Sequence, residues 1–275
     1  MKHYLDQSKK QELICLYQCF EYKKALSLAK KILHKNPDNS FIYQMIGKIY
    51  FSLLDMKNAI FYFDKAIEYD PNYLESYNSI AIALSQIGNE RLAIKYLKKA
   101  LTNVGESAIL YYNIGVLLSK AKNWNNALQN FMISISIKPF YPDAYNEIGK
   151  VLYNLLEYAQ SIISLNKAIK QKKKFDDAHH NLGNSFRALG NYIDAISSYK
   201  LALEINPNRV DSKHCIGLTL YEIYDYSNGK KYFEKLLINN PDDHFARRSF
   251  AIGLMKQAYI KDAIKCFEDV SSKLT

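Results

Sequence analysis

The stretch "HHNLGNSFRALGNYIDAISSYKLALEINPN", His179 to Asn208, decides how the whole chain is read. Gly183 stands inside an otherwise helical pattern, where glycine costs about 1 kcal/mol against alanine. Ala195 and Ala202 flank Tyr199, and the stretch closes on Asn206-Pro207. Leu182, Phe186 and Leu189 recur at helical spacing, as do Ile196, Tyr199 and Leu203. Two amphipathic helices are therefore expected, over 177–189 and 192–204. Gly190-Asn191 makes a short turn between them. The residue before Pro207 is pushed out of the α region and ends the second helix.

Moving outward, the same features return at a fixed interval. Pro37, Pro71, Pro139, Pro207 and Pro241 are separated by 34 residues or twice 34. Gly47, Gly115, Gly149, Gly183 and Gly217 keep that spacing. So do Ala25, Ala59, Ala93, Ala127, Ala195 and Ala263, with Ser161 and Gly229 in the two gaps. Phe63, Phe131, Tyr199, Phe233 and Phe267 form a fourth series. Eight units follow without insertion, starting at Asp6, Ser40, Leu74, Ala108, Pro142, Asp176, Val210 and His244, after a short extension over 1–5. Within each, the glycine of the first helix and the alanine of the second let two antiparallel helices approach closely. Each unit leaves one face uncovered for the next, which is the logic of a solenoid. Gly229 in an alanine slot is expected to weaken the second helix of the seventh unit. Glu12 and Ser271 replace apolar residues of the other units, so both ends read as polar and the array over 6–275 as a single complete solenoid.

The pattern resembles the tetratricopeptide repeat (TPR) family: a 34-residue period, an aromatic early in the unit (Tyr43, Tyr77, Tyr111, Tyr145), then Leu/Ile-Gly, two alanines around an aromatic, and a closing proline. The resemblance implies an all-α, right-handed α-α superhelical solenoid of about sixteen antiparallel paired helices. "HNLGNSFRALGNYIDAISSY" also looks like the repeats of protein O-linked N-acetylglucosamine transferases. His179, Lys213 and Arg247 depart from the early aromatic.

Composition narrows the function. The chain has 275 residues, 48% hydrophobic and 23% charged, with a formal charge of +10. There is no leader-like apolar run after the first basic residues and no stretch long enough to span a membrane. Cys15, Cys19, Cys215 and Cys266 match no disulfide or zinc pattern, which points to a reducing, cytoplasmic setting. Phosphate-loop, dinucleotide, nucleophile-elbow and zinc-protease motifs are missing, so neither enzymatic activity nor a cofactor is expected. Cys15 and Cys19, one helical turn apart, read as packing residues rather than metal ligands. The basic run Lys170–Lys174 reads as a solvated helix C-terminus, with an anionic contact as the alternative. The lysines of the first unit lack interleaved exposed aromatics, which argues against nucleic acid.

The expected function is a non-enzymatic scaffold or adaptor binding a protein or peptide segment, with homo-oligomerisation open. The alternative is a substrate-recruiting subunit of a separate glycosyltransferase or sulfotransferase. On the first helix of each unit, the second, fifth, ninth, twelfth and thirteenth residues fall within about a third of the circumference. By the family resemblance this arc lines a concave groove. It offers apolar anchors at Phe41, Phe51, Ile82, Ile109 and Val116. It turns polar and basic at Asn146, Lys150, Tyr153, Asn154, His180, Asn184 and Arg187. Asparagines can pair with a peptide backbone, and Lys150 with Arg187 suits an acidic group. The family's carboxylate clamp is not matched, because Lys10 is followed by Ile14 where the clamp needs asparagine.

Overall fold

The structure is a computed structural model that describes residues 7–271. The extension over 1–5, Asp6 and the side chains of Phe267 and Ser271, all named above, lie outside what is described. The described residues form helices and no strand, and the chain divides into two compact units, Met1–Pro139 and Phe140–Thr275. The first unit holds α1 (Gln7–Gln18), α2 (Tyr22–Lys35), α3 (Ser40–Ser52), α4 (Met56–Tyr69), α5 (Leu74–Gln86), α6 (Glu90–Val104), α7 (Ala108–Lys120) and α8 (Trp124–Ile137). The second holds α9 (Pro142–Asn154), α10 (Tyr158–Gln171), α11 (Asp176–Ala188), α12 (Tyr192–Ile205), α13 (Val210–Glu222), α14 (Tyr226–Asn239), α15 (His244–Lys256) and α16 (Ile260–Ser271). Where the sequence places helices over 177–189 and 192–204, α11 and α12 run within one residue of those bounds. No helix is long and apolar enough to cross a membrane.

The glycine series has a direct packing cause. A Cβ on Gly183 would lie 2.5 Å from Cε1 of Tyr199, and one on Gly115 would lie 2.7 Å from Cε1 of Phe131. The ring of the second helix thus rests on the bare backbone of the first, sixteen residues earlier. The buried hydroxyl that Tyr199 adds over phenylalanine donates to Asn184 Oδ1 at 2.8 Å. The third repeat has Ala81 and Leu97 in these slots, both buried in one cluster with Phe63 and Tyr77. Around these contacts the apolar faces merge, as where Leu13, Ala25, Ile32, Ile42 and Ile46 join α1, α2 and α3.

Gly229 corrects the sequence expectation. Its Cβ would fall 2.5 Å from Cδ1 of Tyr221, and one on Gly253 would lie 2.9 Å from Cε1 of the same ring. Tyr221 is buried between the two glycines, 5.6 Å from the Phe233 ring. The glycine that looked like a helix weakness is the floor of a socket for this tyrosine.

Every turn within a repeat closes by the same bond. The backbone N–H groups of Glu21, Asp55, Asn89, Asn123, Glu157, Asn191, Asp225 and Tyr259 each donate to the carbonyl five residues back at 2.9 Å. This is the Schellman motif, which requires a left-handed residue just before the donor. Glycine supplies it at Gly88 (φ 74°) and Gly190 (φ 78°), but Phe20, Leu54, Lys122, Leu156, Tyr224 and Ala258 adopt it as well, with φ between 57° and 65°. For a residue with a Cβ this conformation costs about 1–2 kcal/mol. Leu54 is 79% exposed, so its side chain contributes little packing in return. Leu54→Gly should raise stability by about 1 kcal/mol, seen as a higher denaturant midpoint at unchanged slope. A lower midpoint would contradict this account of the turn.

Candidate functional site

In each unit the odd-numbered helices touch the next odd-numbered helix: α3 with α5, α5 with α7, α9 with α11, and α13 with α15. The extensive contacts of the even-numbered helices are all with odd-numbered ones. Residues of the arc read from the sequence lie where successive odd helices face each other. Its side chains form lateral bonds from repeat to repeat in two rows.

The first row joins the fifth residue of one repeat to the sixth of the next, 35 residues on. Gln44 Nε2 donates to Ser79 Oγ at 3.0 Å, Asn113 Nδ2 to Asn78 Oδ1 at 2.9 Å, and Asn181 Nδ2 to Asn146 Oδ1 at 2.9 Å. The second row joins the twelfth residue to the thirteenth of the next repeat. Tyr17 bonds Ser52 at 3.1 Å, Lys120 Nζ donates to Ser85 Oγ at 2.8 Å, and Arg187 forks onto Glu222 through Nε at 2.8 Å and Nη2 at 2.5 Å. These bonds change the status of several candidate residues. Asn146 and His180, expected on an open arc, are buried, at 5% and 7% exposure. The fifth slot is where successive odd helices meet, so the neighbouring repeat covers it.

In the second unit the polar residues are largely engaged. His180 Nδ1 lies 2.8 Å from Ser212 Oγ, and its Nε2 lies 3.5 Å from Asp211. Burial pushes the His180 imidazole below its ordinary value, against the pull of Asp211. Lys150 Nζ sits 2.8 Å from Oε1 of Glu147, and the Asn154 amide donates to the Lys150 carbonyl at 2.8 Å. The fork with Glu222 raises the Arg187 pKa despite its burial. Lys150 and Arg187 are thus not brought together on a shared vacancy; each already holds a carboxylate of this chain. Tyr153 is exposed, its ring 5.4 Å from that of Tyr158.

In the first unit the arc is more open. Phe41 is half-buried under the Lys10 ammonium, 4.4 Å above its ring. Phe51 is half-buried, while Ile82 and Ile109 are exposed. Ile82 and Val116 face one depression of about 250 Å³ between α5 and α7, with Ala81, Leu117, Asn113 and Lys120 around it. Sequence reading missed Asn78, Asn113 and Lys120 as site residues. Asn78 and Lys120 occupy the same slots as residues that were singled out or placed on the arc, but the sixth slot, which supplies Asn113, lay outside it.

Two other features named from the sequence have their places in the structure. Cys15 and Cys19 are exposed rather than packed, and the slot of Cys19 is exposed in the third repeat too, at Ile87. No group of three or more His, Cys, Asp or Glu among the described residues could hold a metal ion. In the basic run, Lys172 lies over the Phe175 ring at 4.1 Å, and His179 Nε2 reaches the Lys173 carbonyl at 3.3 Å.

Comparison with known proteins finds the same repeat. Tetratricopeptide repeat family models match residues 42–73 and 142–175, 62–95, and 176–209. No curated protein sequence matches the chain. Among solved structures, a chain of the APC/C hetero-tetramer Cut9–Hcn1 superposes with a TM-score of 0.69 at 19% identity, over 91% of this chain and 49% of that one. This chain thus spans about half the length of that relative. YrrB, described as a TPR protein with an unusual peptide-binding site, gives a TM-score of 0.53 at 20% identity over 68% of this chain and 96% of its own. MamA gives 0.53 at 27% identity over 62% and 93%. These matches carry the family and its fold, not the narrower likeness to O-linked N-acetylglucosamine transferases. With the repeat models matching these segments and the paired-helix fold shared, the chain carries tetratricopeptide repeats over residues 42–95 and 142–209.

Proposed function

We propose that this chain is a non-enzymatic scaffold that holds extended segments of a partner protein against the inner faces of its odd-numbered helices. The observation that supports this most is the pair of asparagine couples. In Asn78–Asn113 and Asn146–Asn181 one amide group bonds the other. Each couple keeps a second amide nitrogen and a second carbonyl oxygen uncommitted. A peptide group offers the complementary carbonyl and N–H. YrrB, whose structure is described by its peptide-binding site, has the same fold, and at that identity the likeness speaks for the fold alone. The reading therefore rests on the asparagines. In the second unit Tyr153, Asn154 and the Asn146–Asn181 couple supply the polar contacts, with Asn184 and His180 behind them. An acidic group approaching Lys150 or Arg187 would have to displace Glu147 or Glu222. A cytoplasmic site of action belongs to the same reading, in keeping with the free thiols of Cys15, Cys19 and Cys215.

The test is affinity capture from whole-cell extract with the full chain and with the Asn113→Ala, Asn181→Ala double variant. Both side chains are half-buried and each makes one lateral bond, so the variant should stay folded, melt within a few degrees of the parent and lose most reproducible partners. Unchanged capture by the folded variant would overturn the reading.

A further inference from the structure

The depression between α5 and α7 carries more chemistry than a generic groove. Its floor and walls are Ala81, Ile82, Val116 and Leu117. Its volume of about 250 Å³ falls below the roughly 300–1,000 Å³ of small-molecule sites, so it suits an aliphatic side chain rather than a cofactor. At its rim stands Lys120. The other cations of this arc are satisfied: Lys48 pairs with Glu75, and Lys10 lies over Phe41. Lys120 has only the Ser85 hydroxyl, at 2.8 Å, and among the described residues no carboxylate lies within ion-pair distance of it. The bond to Ser85 fixes the ammonium beside an apolar wall and leaves its remaining protons directed outward.

We infer that this depression binds an extended internal segment of a partner, taking one aliphatic side chain into the hollow and an aspartate or glutamate side chain on Lys120. This rests on the groove reading above and specifies its ligand. The spacing follows from the helices. Asn78 to Ser85 and Asn113 to Lys120 are each seven residues, about 10 Å along the axis. Three residues of extended chain cover that length. A segment whose backbone meets the Asn78–Asn113 couple therefore reaches Lys120 within three residues, with the hollow between. The aliphatic and acidic residues then stand one or two apart. A C-terminal carboxylate is the poorer fit. Such termini are held by nests of free backbone N–H groups, and both walls here are helix flanks whose N–H groups are already bonded within the helix.

The test uses synthetic peptides of alanine, acetylated and amidated, with one photoreactive leucine and a glutamate two residues away. After irradiation with the full chain, labelled residues are mapped by mass spectrometry. Labels should fall on α5 and α7 near Ile82 and Val116, with glutamate favoured over glutamine by about tenfold, as for a hydrogen bond to a charged group. Lys120→Glu should shift the preference to a lysine peptide, with Lys120→Gln as a second variant that abolishes preference without reversing it. Equal labelling by glutamate and glutamine peptides, still on α5 and α7, overturns the acidic inference and leaves the groove. Labels on even-numbered helices, or none, overturn the groove reading itself. A free-acid peptide lacking glutamate that labels as well as the glutamate amide overturns the choice of a side-chain carboxylate.

Discussion

Phe131→Ala should lower the stability of the protein by about 3–5 kcal/mol, the range for emptying a buried aromatic site. Phe131 is fully buried, lies against Gly115, and has the Tyr112 ring 5.7 Å away. Collapse around the void is limited. Gly115 has no side chain to move into it, and Ser134 on the same helix is tied to the Ala108 carbonyl at 2.8 Å. In an array whose stability is roughly a sum over repeats and their interfaces, the loss should centre on α7 and α8. Denaturant titration gives the size, and hydrogen exchange gives the place. A loss under 1 kcal/mol, or one spread evenly over the chain, would mean the ring does not bear the packing assigned to it.

Gly229→Ala should also destabilise, against the rule for helices. Alanine is normally favoured there by about 1 kcal/mol. The new Cβ would press into the Tyr221 ring, which Gly253 confines from the other side. Overpacking of this kind typically costs about 1–3 kcal/mol, enough to reverse the propensity gain. The partner supplies a check. The third and fourth repeats place Ser85 with Ala93 and Ser119 with Ala127 in the slots of Tyr221 and Gly229. Tyr221→Ser should therefore tolerate Gly229→Ala, and a double-mutant cycle should show strong coupling. If Gly229→Ala alone raises the denaturant midpoint, the socket is not what keeps glycine in that slot.

These two residues also mark the border of what sequence could tell. Phe131 was legible because its contact repeats: ring and glycine stand sixteen apart in repeat after repeat, so the pattern and the packing are one fact. Helix boundaries were legible for the same reason. Gly229 was not, because its reason lies in Tyr221, in a slot held elsewhere by Phe51, Ser85, Tyr153 or Arg187. A single departure in a variable slot carries no periodic signal. Arg187 was read as an open groove residue, yet its Glu222 partner sits 35 residues on, one step out of register with the repeat. The left-handed residues Leu54, Leu156 and Tyr224 were invisible as well, since the Schellman bond is made by backbone and imposes its φ on whatever side chain stands there.

The out-of-step lateral bonds have a consequence for how such a chain grows. The third repeat contributes its fifth residue, Asn78, to the bond ahead and its sixth, Ser79, to the bond behind. Both halves of the joint are encoded in that one unit, like the tongue and groove of one floorboard. A segment of gene duplicated in place would arrive with two matching edges. Its fifth residue would find its own copy's sixth, so the array could lengthen by one unit without any new interface having to be invented. Divergence afterwards would then be free to act on single joints, as where Gln44 meets a serine and Asn78 meets an asparagine.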